Sequence, residues 1–149
     1  MASQRARREQ RSYALCLVDL DRFKAVNDNA GHAAGDALLR RIADVLRRSC
    51  RRQDFAARIG GDEFALLLSD CSASAAAHVM QEVVDAVATL GFEWDGTGYS
   101  VGASIGITTI GSDSPGLPEI MSQADAACYT SKAAGRGRVS VYDPVASAT

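Results

Sequence analysis

Long apolar runs are absent from this 149-residue sequence, and its four cysteines show no pairing pattern. No stretch approaches the roughly 20 apolar residues that span a bilayer, and the start is too polar for a signal peptide, so we expect no membrane contact. Because the cysteines lack Cys-x-x-Cys or other metal-ligand spacing, we expect free thiols and a reducing cytoplasm. Linkers and repeats are also lacking, so the length suits one domain.

Strong net charge is missing as well. The net charge of −2 argues against a general nucleic-acid-binding protein. With 47% hydrophobic and 23% charged residues and a mean hydropathy of −0.05, the composition is typical of a soluble globular protein. The basic residues are nevertheless concentrated in the first 58 positions. The arginines at 40–52 therefore form either a solvated helix face or an anion site.

A glycine pair followed by two acids, Gly60-Gly61-Asp62-Glu63, separates two apolar runs. This pattern predicts a β-hairpin with strands at 54–59 and 64–68. The glycines permit the positive φ of a tight turn and leave no Cβ to obstruct a phosphate group. Acids beside such a turn are able to hold a divalent cation. An ordinary solvated turn is the alternative, because aspartate is common in turns.

A second acidic pair follows an apolar strand predicted at residues 13–20. Asp19 and Asp21 lie at the end of this strand, and Asp21 is interpreted as structural or as a helix cap. Phe23 and Lys24 then open a helix, whose free N–H groups and positive dipole end favour phosphate. Taken alone, Lys24 would be a solvated lysine.

Together, the Asp-x-Asp-x-Phe-Lys strand end and the Gly-Gly-Asp-Glu-Phe hairpin resemble the GGDEF family of diguanylate cyclases. The resemblance implies an α/β fold like the palm of nucleotidyl cyclases. Its mixed, mainly antiparallel central sheet has about five strands, with helices on both faces. A single GGDEF domain would span residues 1–149, with a polar N-terminal remnant at 1–12, a core at 13–142 and a tail at 143–149.

One family segment is absent from this sequence. The pattern Asp-x-Leu-Thr-Gly-Leu-x-Asn-Arg usually comes before the first strand. In the family it packs on the nucleotide pocket and supplies an apolar contact to the base. Its absence counts against full GTP affinity and against activity of this chain in isolation.

The resemblance implies a metal site and a catalytic pair at the hairpin. The metal would be Mg²⁺ or Mn²⁺, ions that prefer oxygen ligands. Asp62 and Glu63 match the catalytic positions, and either Asp62 or a water accepts the proton of the attacking hydroxyl. The implied metal ligands are Asp19, the backbone carbonyl of Leu20, Asp62 and Glu63.

The resemblance also implies which residues contact GTP. A carboxylate at Asp36 accepts from guanine N1–H and N2–H₂, whereas adenine has no N1–H to donate. Asp36 is equally compatible with a helix N-cap, and Lys132 and Arg136 with favourable placement at a helix C-terminus. The implied substrate-binding residues are Phe23, Lys24, Asn27, Asp36, Leu39, Gly60, Gly61, Lys132 and Arg136.

An Arg-x-x-Asp sequence shortly before the glycine pair resembles the product-binding inhibitory site of the family. Arg51 is able to pair with phosphate and stack on a purine, and Asp54 is able to accept from guanine. Arg58 is assigned to the same patch. The alternative is a pair of solvated side chains at a helix end.

The remaining elements are predicted from periodicity and capping residues. Cys16 is expected in the core, whereas His32 and His78 are interpreted as packing or surface residues. Strands at 91–94 and 100–110 are joined by a turn at 95–98. The other elements are a loop at 27–36, helices at 37–49, from Ser72 or Ser74 to 89, and at 119–134, and a last strand at 138–142.

The function implied by the resemblance is metal-dependent condensation of two GTP molecules into cyclic di-GMP, with release of two pyrophosphates. Each domain of a homodimer would bring one GTP, and an upstream sensory domain would control the reaction. The alternative from another class is a silent GGDEF-like module that binds cyclic di-GMP or GTP as a sensor. A cyclase that makes a cyclic mononucleotide is a third hypothesis.

Overall fold

A computed structural model describes residues 12–144 of the chain. Most of the N-terminal remnant predicted at 1–12 and most of the tail predicted at 143–149 lie outside the described residues. In chain order the elements are β1 Tyr13–Asp21, α1 Phe23–Ala30, α2 His32–Ser49, β2 Phe55–Gly60, β3 Glu63–Ser69, α3 Ala73–Ala88, β4 Phe92–Trp94, β5 Thr97–Tyr99, β6 Gly102–Ile110, α4 Leu117–Ala133 and β7 Val139–Val141.

The central sheet has five strands in the order β2-β3-β1-β6-β7. All neighbouring pairs are antiparallel except β6 and β7, which run parallel. Strand β1 lies in the middle, as its near-continuous apolar sequence predicts for a strand covered on both faces. The mixed, mainly antiparallel five-stranded sheet is thereby confirmed.

Helices cover both faces of this sheet. The side chains of β1 alternate between the two faces, so β1 presents apolar residues to each of them. On one face Cys16, Val18 and Leu20 pack with α1, α2 and α3, and Cys16 is fully buried as predicted. On the other face Leu15 and Leu17 pack with α4. Among the described residues, no helix is both long and apolar enough to cross a membrane.

The predicted loop at 27–36 is wrong. Helix α1 continues to Ala30, and α2 begins at His32. A single residue, Gly31, separates them with φ of 93°, a conformation that allows the chain to end one helix and start the next at once. Asp36 therefore lies inside α2 rather than at its N-cap, so that interpretation of Asp36 is excluded.

The turn predicted at 95–98 between the strands at 91–94 and 100–110 is also wrong, because a further short strand begins within it. Strand β4 pairs with the short strand β5, in a separate two-stranded sheet. Asp95 and Gly96 form the turn with φ of 49° and 79°, and two consecutive positive φ values favour a tight hairpin. Strand β6 is thereby free to pair with β1 in the central sheet.

Candidate active site

The hairpin tip is bonded directly to the end of β1. Asp19 and Glu63 are register partners, and the Leu20 N–H donates to the Asp62 carbonyl at 3.1 Å. Two main-chain links therefore hold the acids of β1 beside those of the turn. The structure brings Asp19, Leu20, Asp62 and Glu63 to one edge of the sheet, as the two motifs predict.

Gly60 and Gly61 do not adopt the positive φ that was predicted for them. The pairing of β2 with β3 shifts register between Arg58 and Gly60, and this irregularity lets the chain turn without left-handed residues. A Cβ added at either glycine would meet no atom within 4 Å. The tip is therefore open. This is compatible with the prediction that glycine at these positions leaves room for a phosphate group.

The carboxylates at this edge influence one another. Burial raises the pKa of Asp62 and of Glu63, and the charge of Asp19 raises both further. The positive charge of Lys132 opposes this effect and lowers both pKa values. The Lys132 ammonium also donates a hydrogen bond to Asp19. Burial alone would lower the pKa of Lys132, but the hydrogen bond and charge of Asp19 raise it instead. A cation and three carboxylates thus share one partly buried edge.

A cavity of about 250 Å³ opens between this edge and α4. Asp19, Glu63 and Lys132 line it together with Asp125 and Tyr129. The charge of Asp125 contributes to the raised pKa of Glu63, after burial and Asp19. Asp125 was missed in the sequence, although its spacing of seven residues from Lys132 places both on one face of a helix.

A second cavity, of about 420 Å³, lies between α2 and the hairpin. Asp36 and Leu39 line it, as does Phe64. The Asn27 side chain lies against Gly35, where an added Cβ would be 1.9 Å from Asn27 Oδ1. Gly35, which was missed in the sequence, therefore leaves room for Asn27 next to Asp36. No feature of the sequence other than the glycine itself indicated this packing.

The other predicted GTP contacts lie in different surroundings. Phe23 is buried in the core, whereas the Lys24 side chain is exposed and 3.4 Å from Asp28. Arg136 is largely exposed and lies beside Asp21, 3.8 Å from its carboxylate. Lys132 and Arg136 thus face the two acids of β1, which share one face because the strand continues through Asp21.

Arg51 and Asp54 form a bidentate ion pair just before the start of β2, at the end of that strand away from the hairpin tip. Arg51 Nε and Nη2 each donate to the Asp54 carboxylate at 3.1 Å, and Ser69 N–H donates at 3.0 Å. Arg58 lies apart from them, since it donates to the Gly61 carbonyl at 3.0 Å and lines the cavity of Asp36. The structure thus joins two of the three predicted residues.

This ion pair makes stability depend on pH. Burial would raise the pKa of Asp54, but hydrogen bonds from Arg51 and Ser69 lower it below the usual value of 3.8. The stabilisation is therefore complete above the unfolded pKa of about 3.9 and disappears as the pH falls through the lower folded value. We expect Asp54→Asn to cost about 1–3 kcal/mol at pH 7 and less at pH 3, which lies below the unfolded pKa, measured by urea unfolding.

Asp113→Asn, in an exposed loop, is the matched control and should not change stability at either pH. An Asp54→Asn effect of equal size at pH 7 and pH 3 would contradict the ion-pair explanation.

The family model described as "Diguanylate cyclase, GGDEF domain" matches residues 1–138. The chain belongs to the GGDEF family. DgcE of Escherichia coli (strain K12), named a probable diguanylate cyclase, is 54% identical over 132 residues, which cover 89% of this chain and 12% of that protein.

A solved GGDEF-domain structure and a second curated protein are also similar to this chain. The crystal structure of the GGDEF domain of DgcB from Caulobacter crescentus in complex with c-di-GMP has a TM-score of 0.89 and 32% identity, covering 95% of this chain and 84% of that one. PdeB of Shewanella oneidensis, named a cyclic di-GMP phosphodiesterase, is 36% identical over 91% of this chain and 16% of its own length. The chain therefore spans only a small part of the length of DgcE and of PdeB.

Proposed function

We propose that this GGDEF chain is a diguanylate cyclase that condenses two GTP molecules into cyclic di-GMP and two pyrophosphates. The observation that carries the proposal is the main-chain link between the hairpin and β1, which gathers Asp19, Asp62 and Glu63 at one edge. Lys132 adds a cation at the same edge. Phosphoryl transfer needs this combination of carboxylates and cations around a triphosphate.

The donors at this edge fit a hard divalent cation. Among residues 12–144, no three His, Cys, Asp or Glu side chains are close enough to hold a metal by themselves. The donor set also includes a backbone carbonyl, however, and every donor is an oxygen, as Mg²⁺ and Mn²⁺ prefer. We assign the ion to Asp19, the Leu20 carbonyl, Asp62 and Glu63, whose three carboxylates would have to move closer together than they lie in this structure to bind it jointly. When bound, it neutralises triphosphate charge and lowers the pKa of the attacking hydroxyl.

Each half of the reaction forms one bond and breaks one bond. The ribose 3′-oxygen of one GTP forms a bond to the α-phosphorus of the other, and the bond from that phosphorus to the oxygen bridging to the β-phosphate breaks. Pyrophosphate leaves with the electron pair. The hydroxyl proton goes to Asp62 or to a water. Repeating the step with the roles exchanged closes the ring.

Guanine recognition is assigned to the groove near α2. Asn27 and Asp36 would read the base, with Leu39 packing against it, and the 420 Å³ cavity beside Asp36 and Leu39 supports this. The triphosphate would extend from there to Lys132 and Arg136. The remaining proposed contacts are made by Phe23, Lys24, Gly60 and Gly61.

Activity should require a homodimer, because one such edge holds one GTP. We expect the cyclic di-GMP formed per protomer to fall as the protein is diluted through its dimer dissociation constant. Product chromatography measures the rate, and light scattering at the same concentrations measures the oligomeric state. Constant activity per protomer down to a demonstrated monomer would defeat this part of the proposal.

An inhibitory site for cyclic di-GMP is assigned to Arg51 and Asp54, whose preformed ion pair supports it. Arg58, the third residue expected there, lies apart from this pair and lines the cavity of Asp36. Residues 1–149 act as one domain whose core is 13–142, controlled by an upstream sensory domain in a longer protein. The four free cysteines, all within the described residues, suit a cytoplasmic location.

A module that binds cyclic di-GMP or GTP without turnover is the second candidate. The ion pair between Lys132 and Asp19 favours it, because a proposed metal ligand is already occupied by a cation. The intact hairpin acids favour the enzyme.

A further inference from the structure

Asp21 is a deeply buried carboxylate for which the proposed chemistry has no use. Its residue is only 3% exposed. The Ser104 hydroxyl donates to Oδ1 at 2.9 Å, and the Gly137 N–H donates to Oδ2 at 3.1 Å. It does not cap α1, whose N-cap residue is Arg22. A buried carboxylate is costly unless it is paired, so these contacts across the fold need an explanation.

The partners of Asp21 hold a strained loop after α4. Gly135, Arg136 and Gly137 have successive φ values of 118°, 64° and 58°. For a non-glycine residue such as Arg136, the left-handed conformation is strained and persists only when its surroundings fix it. The Gly137 N–H is fixed from both sides, because it also lies 3.2 Å from Ser104 Oγ. Asp21 thereby helps to fix the chain directly after Arg136, whose own N–H donates to the Ser131 carbonyl at 3.0 Å.

Asp21 also faces the Arg136 side chain. Arg136 Nε lies 3.8 Å from Asp21 Oδ1, while the side chain remains 58% exposed. One edge of the guanidinium is therefore turned toward Asp21, and the rest is accessible to a second anion. Asp19, two residues earlier on the same face of β1, holds Lys132. Each acid of the strand end thus orients one of the two cations of the last helix and its loop.

We propose that Asp21 is a positioning residue for the nucleotide phosphates, which it serves by holding the backbone and guanidinium of Arg136. The inference rests on the proposed function, in which Arg136 contacts the triphosphate of GTP. Asp21 touches neither substrate nor metal in this scheme. Its effect on binding must therefore pass through Arg136, and it must depend on the phosphates rather than on the base.

The test compares Asp21→Asn, Arg136→Ala and the double variant by calorimetry. The probes are guanosine 5′-(α,β-methylene)triphosphate, which cannot release pyrophosphate, and guanosine, each with Mg²⁺. Because a charge-assisted contact is lost, we expect Asp21→Asn to weaken triphosphate binding about tenfold. Guanosine binding should stay unchanged. In the Arg136→Ala background, Asp21→Asn should have no further effect.

Two further variants separate positioning from general damage. Asp85→Asn, on the exposed face of α3, is the matched control and should bind both probes as the unmodified chain does. Ser104→Ala keeps the Asp21 charge but removes the hydroxyl that bridges it to Gly137. If Asp21→Asn does not fold, Ser104→Ala decides, with a smaller loss of the same triphosphate-specific kind expected.

Three results would overturn the inference: equal loss of triphosphate and guanosine affinity, a full additional loss in the Arg136→Ala background, or an unmodified chain that binds both probes equally. An unmodified chain that binds the triphosphate analogue tightly but makes no cyclic di-GMP from GTP refutes the proposed function alone. The binding comparison then still decides the role of Asp21.

Discussion

Asp19→Asn is expected to reduce cyclic di-GMP formation at least about a hundredfold, because it removes a charged oxygen ligand at the centre of the proposed metal site. Asn keeps the shape of the side chain but not its charge. The same substitution should weaken Mn²⁺ binding, which electron paramagnetic resonance measures without turnover. Lys132 loses its partner as well, so urea unfolding of the variant is needed to separate lost activity from lost folding.

The control for this experiment is Asp113→Asn, which changes the net charge equally in an exposed loop. It should retain both activity and Mn²⁺ affinity. A folded Asp19→Asn protein with unmodified-chain rates and Mn²⁺ affinity would show that the metal site lies elsewhere.

Gly106→Ala is expected to destabilise the fold strongly. A Cβ at Gly106 would lie 2.2 Å from the backbone N of Cys128 and 2.3 Å from the backbone O of Ala124. These atoms belong to the α4 backbone and cannot move aside as a flexible side chain can, so the helix must shift away from β6. We expect a loss of about 3 kcal/mol in the free energy of unfolding, the upper end of the usual overpacking range.

Gly98→Ala is the matched control, because an added Cβ there meets no atom within 4 Å. Urea unfolding should show little change for this variant. A loss below about 1 kcal/mol for Gly106→Ala would mean that α4 packs less closely on the sheet than the structure indicates. Since α4 also carries Lys132, nucleotide binding by Gly106→Ala should weaken along with stability.

The elements that could be predicted are those whose sequence pattern has a single physical solution. The apolar run of β1 requires burial on both faces, and the structure places it in the middle of the sheet. The hairpin was predicted to within a residue or two at each strand end, because its glycines interrupt two apolar runs. Ser72, one of two predicted caps, accepts from the Ala75 N–H at the start of α3.

The errors arose where one residue decides the geometry. Asn and Asp clusters favour loops on average, so residues 27–36 read as a loop, although a single positive φ at Gly31 suffices to join two helices. Positive φ was predicted at Gly60, but a register irregularity removes the need for it. Long-range contacts such as Asp21 with Gly137 leave no local pattern, because the partners are far apart in the sequence.

Incubation of the chain with GTP and Mg²⁺ or Mn²⁺ at high protein concentration, followed by chromatography of the nucleotides, tests the proposed cyclase activity directly. Asp62→Ala is the parallel sample. We expect cyclic di-GMP and twice as much pyrophosphate from the unmodified chain, and no cyclic di-GMP from the variant. An unmodified chain that binds cyclic di-GMP but forms none from GTP would contradict this expectation and establish a binding module instead.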